Sequence, residues 1–115
     1  MSTHDQLIQR MIDELKTRGA GDIQSRNALE SEYTMRMIGG HVPDISATLD
    51  NSLHLYAVIT DDLEIDEHMV ERWRAFADYA QRGAAKLHIT LPHGRQDLLQ
   101  RVPPDVKKAA EVMEI

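Results

Sequence analysis

Five apolar residues in succession, Leu55-Tyr56-Ala57-Val58-Ile59, set the architecture of this chain. Successive residues of a strand point to opposite faces, so a strand with one wet face alternates apolar with polar side chains. An unbroken apolar run needs cover on both faces. Residues 53–60 therefore read as the central strand of a sheet with helices packed on each side.

Two segments supply that cover. Residues 3–18 place Leu7, Ile8, Met11, Ile12 and Leu15 at helical spacing, with Thr3 available as a cap, Lys16 and Arg18 near the negative end of the helix dipole, and Gly19 and Gly21 as the stop. Ile65, Met69, Trp73, Phe76 and Ala80 form one apolar stripe opposite Glu67, Glu71, Arg74 and Asp78, which predicts a helix over roughly 66–82. That position marks Trp73 and Phe76 as core residues and not as a stacking platform.

Residues 42–49 read as a strand joined to 53–60 by the polar Asp50-Asn51-Ser52, which suits a tight antiparallel hairpin. Residues 86–91 alternate Leu87, Ile89 and Leu91 with Lys86, His88 and Thr90, a strand with one buried and one wet face that ends at Pro92. A short exposed strand falls near 23–29, and an irregular edge segment over 30–40. Two amphipathic pieces, 95–101 and 104–113, close the chain around Pro103-Pro104. The order α-β-β-β-α-β-α gives a single α/β domain, a small mixed sheet of about four strands flanked by helices; 115 residues suit one core.

Composition narrows the function. There is no cysteine, which excludes disulfides and thiolate metal sites and points to a reducing cytoplasm. No basic start with an apolar run marks a signal peptide, and no apolar run approaches the roughly 20 residues of a membrane span. With 19 acidic against 13 basic side chains the formal charge is -6, which disfavours a general grip on nucleic acid. Six methionines and the apolar Tyr33 to Ile38 segment suggest a homodimer.

Gly39-Gly40-His41-Val42-Pro43-Asp44-Ile45, followed by an apolar strand and a Trp73-bearing helix, resembles the PD-(D/E)XK (restriction-endonuclease-like) nuclease superfamily. The likeness covers about residues 3 to 91, and Asp61-Asp62, His68, Glu71, Trp73, Phe76 and Tyr79-Ala80 are similar to uncharacterised prokaryotic members. It implies a core of helix, three-stranded meander, crossover helix and further strand. It also implies that the aspartate of the Pro-Asp pair, here Asp44, and an acid on the next strand hold Mg²⁺ or Mn²⁺, while a lysine two positions on orients the attacking water.

The chain departs from that pattern at the second motif. Either Ala57 and Ile59 or Val58 and Thr60 occupy the two places, and neither pair is an acid and a lysine. The expectation is a disarmed nuclease-like protein without a cofactor, acting as a binding or regulatory module with an unidentified protein partner. The alternative is a metal-dependent nuclease rebuilt from Glu14, Asp44 and Asp61, with Asp44 and Asp61 as metal ligands, although Asp61 lies roughly 7 to 13 Å along the strand from the vacated positions. Asp44 can equally be a strand-start carboxylate that bonds backbone amides. Asp61 and Asp62 can charge a helix start, and Glu14 can be a solvated helix residue. His41, His54, His88 and His93 could gather on one face, yet they lack a recognised ligand spacing and read as scattered surface residues.

Overall fold

The computed structural model describes residues 3–25 and 38–115. The elements are α1 (Thr3–Thr17), β1 (Gly21–Ser25), β2 (Ile45–Leu49), β3 (Ser52–Val58), α2 (Glu67–Gln81), β4 (Lys86–Leu91), a 3-10 turn (Gln96–Arg101), α3 (Pro104–Lys108) and β5 (Ala110–Glu114). The strands form one sheet in sequence order, β1-β2-β3-β4-β5. β1–β2 and β2–β3 pair antiparallel, whereas β3–β4 and β4–β5 pair parallel, so β2 alone runs against the rest.

The central strand is β3, and both its faces are covered. Leu55, Ala57 and Ile59 join Trp73, Phe76 and Ala77 of α2, Leu87, Ile89 and Leu91 of β4, and Leu98, Val102 and Val106 in one core. Tyr56 and Val58 lie on the other face with Ile45, Ala47 and the Leu7, Ile8, Met11 and Leu15 stripe of α1. The three layers are thus α1, sheet, and α2 with the C-terminal helical turns. Asp66 caps α2 by accepting from the Met69 amide at 2.9 Å, and Gly83 follows its end with φ +77°.

The β2–β3 hairpin turns on Asp50 (φ 51°) and Asn51 (φ 63°), with Ser52 already opposite Leu49. Both central residues are left-handed, as a primed two-residue turn requires, and Asp and Asn tolerate that region best among residues with side chains. Gly39 and Gly40, also left-handed, make a second reversal in which Ile38 and His41 exchange backbone hydrogen bonds.

Two expectations change. The sheet has five strands and not about four, because the piece expected to stay amphipathic to Met113 leaves its helix at Lys108 and becomes β5. β4 has no other partner on that side, and pairing with β5 satisfies its outer backbone groups. The first strand is Gly21–Ser25, starting earlier than expected; the remainder of 23–29, and the Tyr33 to Met37 part of the segment that suggested a dimer, lie outside the described residues. Among the described residues no helix is long and apolar enough to cross a membrane.

Candidate functional site

The Pro43-Asp44 pair gains its meaning from register. Ile45 stands opposite Tyr56, so continuing the β2–β3 ladder places Pro43 opposite Val58. Proline has no N–H to give, and β2 begins only at Ile45. Two side chains replace the missing partner: Asp44 Oδ2 accepts the Val58 amide at 3.0 Å, and His4 Nε2 donates to the Val58 carbonyl at 2.9 Å. His4 Nε2 also lies 3.7 Å from Asp44 Oδ2. Burial alone would lower the His4 pKa, but the Asp44 carboxylate beside it and the Val58 carbonyl outweigh that and raise it above 6.5.

The first turn of α1 thus seals the end of β3. Asp62 completes the seal: the Thr60 hydroxyl donates to it, the backbone amides of Thr3 and His4 also bond to it, and its pKa falls below the ordinary carboxylate value chiefly through the Thr60 bond. Asp62 therefore serves the start of α1, not that of α2, whose cap is Asp66. Arg101 holds the next stretch, donating to the carbonyls of Thr60 at 2.8 Å and Leu63 at 2.5 Å.

Val58 belongs to the core under α1, whereas Ala57 and Ile59 belong to the core under α2. Asp44 lies beside His4 of α1 and bonds the backbone amide of Val58.

The three candidate carboxylates are engaged separately. Glu14 pairs with Arg18 at 3.0 Å, Asp61 with Arg95 at 3.2 Å, and Asp44 with the Val58 amide. No three His, Asp or Glu side chains gather to hold a metal ion among the described residues. A hard divalent cation asks for several oxygen ligands, and this donor set does not fit one.

The histidines were only partly legible in the sequence. His54 and His88 do meet, with His54 Nδ1 2.8 Å from His88 Nε2, while His41 lies against His68, ring centroids 5.6 Å apart. The rings of His54 and His88 are 10° from parallel, and that of His88 lies 4.8 Å from Tyr56. A carbonyl of the hairpin, that of Leu49, bonds the His54 ring. One of the two facing nitrogens carries the proton of this contact, and the tautomer decides which. His88 Nδ1 is left facing Glu111 Oε2 at 3.7 Å. Burial, then the neighbouring His54, push the His88 pKa down to about 4; burial, then Lys86, lower that of His54.

Thr90, opposite Val58 on β4, is fully buried, and its hydroxyl is the one buried side-chain oxygen or nitrogen without a hydrogen-bond partner among the described residues. An unsatisfied buried hydroxyl costs about 1–3 kcal/mol. Thr90→Val, equal in shape and without the polar atom, is expected to stabilise the protein by about 1 kcal/mol, read as a higher urea midpoint at unchanged slope.

Compared with family models, with curated proteins and with solved structures, the chain matches none.

Proposed function

We propose that this protein is a non-catalytic descendant of the PD-(D/E)XK nuclease fold that works as a binding or regulatory module. The order of elements supports the kinship: a helix, a three-stranded meander, a crossover helix and a parallel strand, α1-β1-β2-β3-α2-β4. The observation that carries the loss of chemistry is the use of Asp44. Its carboxylate completes the β3 backbone at Val58, and neither Ala57 and Ile59 nor Val58 and Thr60 supply an acid and a lysine on the adjoining strand. Phosphodiester cleavage by this family's route needs a metal that neutralises charge next to an attacking water. Here the oxygen that would hold it is a backbone partner.

The test is cleavage of single- and double-stranded DNA and RNA in Mg²⁺ and in Mn²⁺, with Asp44→Asn in parallel. No metal-dependent cleavage above a buffer control is expected. Cleavage by the wild type that Asp44→Asn abolishes would replace this reading with that of an active nuclease.

A further inference from the structure

We propose that His54 and His88 form a two-imidazole site for a borderline transition-metal ion such as Zn²⁺ or Ni²⁺, independent of the nuclease-like reading above. Three features carry it. The two nitrogens that face each other, His54 Nδ1 and His88 Nε2, are held 2.8 Å apart on neighbouring strands. Each ring has an outer acceptor near it, the Leu49 carbonyl for His54 and, 3.7 Å from His88 Nδ1, the Glu111 carboxylate. Tyr56 lies beside the His88 ring and helps fix its plane. Metal-bound histidines characteristically donate their second nitrogen to a carbonyl or carboxylate in this way.

The proton count closes without a co-reactant. In the metal-free pair one of the two facing nitrogens carries the shared proton. Entry of the ion moves that proton to the far nitrogen of its own ring, His88 Nδ1 beside Glu111 or His54 Nε2, and leaves both facing lone pairs free. Two Zn–N bonds of about 2.0–2.1 Å at a tetrahedral angle span about 3.3–3.4 Å, so the rings separate by about half an ångström and tilt. His54 is half-buried and lies next to the hairpin turn. With two protein ligands, water fills the remaining positions. Imidazole nitrogen suits zinc and nickel, whereas Mg²⁺ prefers oxygen.

The test is calorimetric titration of the metal-free full chain with Zn²⁺ and with Ni²⁺, beside His54→Gln, His88→Gln, Glu111→Ala and the control His41→Gln/His68→Gln. One ion per chain is expected, with at least a tenfold loss of affinity in either glutamine variant. Glu111→Ala should weaken binding about tenfold, the usual effect of removing an outer carboxylate, and the control should match the wild type. Glu111 is exposed on the edge strand, so its variant folds whether or not the glutamine variants do. In the unaltered protein, Zn²⁺ should shift the ¹⁵N resonances of His54 Nδ1 and His88 Nε2. Absence of binding, affinity unchanged in a folded His54→Gln or His88→Gln, or ¹⁵N shifts confined to other histidines would overturn the proposal.

Discussion

Asp44→Ala is expected to destabilise the protein by about 2–4 kcal/mol, because it leaves the Val58 amide buried without an acceptor and removes the anion beside His4. Asp44→Asn keeps an acceptor for Val58 and should cost less, about 1–2 kcal/mol. The asparagine variant also reverses a titration. With the carboxylate charge gone, burial dominates, and His4 should titrate below 6.5 instead of above it. Urea unfolding and histidine NMR titration read the two effects. The contrast with a metal ligand is sharp: a carboxylate kept for a cation is a liability to the empty fold, and its removal leaves the metal-free protein equally or more stable.

The second large effect is acid destabilisation centred on His88. Its folded pKa of about 4 lies below the unfolded value of 6.5, so as pH falls through that window the unfolded chain takes up the proton first. Stability should therefore drop by about 2–3 kcal/mol between pH 6.5 and 4 and then level off for this group; His54, also lowered, adds in the same direction. His4 acts on the opposite side. Its raised pKa gives a contribution that is full below 6.5 and lost as pH rises through the folded value. Asp62, Asp97 and Glu114 have lowered pKa values, and their contributions are lost only below the ordinary carboxylate range. In chelator-treated buffer, His88→Gln should flatten the limb between pH 6.5 and 4.5. An unchanged limb in that variant would remove His88 as its cause.

Local signals carried much of the fold. The stripes of α1 and α2 were legible because helical periodicity belongs to one segment, and the hairpin because Asp50-Asn51 suits two successive left-handed residues. β5 was not. Val106, Ala109 and Met113 fit a helix as well as Val112 and its neighbours fit a strand, and the open edge of β4 decides between them. The Pro43-Asp44 pair could be seen, but its role needed the register that sets Pro43 opposite Val58. His54 and His88 lie 34 residues apart, and only the β3–β4 alignment places His88 across from Tyr56, next to His54 on the same face. The available signal was the alternation itself, with His54 and Tyr56 two apart and His88 on the wet-looking face of its strand. It gives faces and not partners.

The central claim is that the Asp44 carboxylate is bound to the β3 backbone and is closed to a cation. Titrating ¹⁵N-labelled protein with Mg²⁺ and then paramagnetic Mn²⁺ while following the Val58, His4 and Asp44 amides tests it directly. The Val58 amide should stay protected from solvent exchange, with none of the three shifted or selectively broadened. Saturable Mn²⁺ broadening centred on Asp44 and Val58, relieved by Asp44→Asn, would contradict the claim.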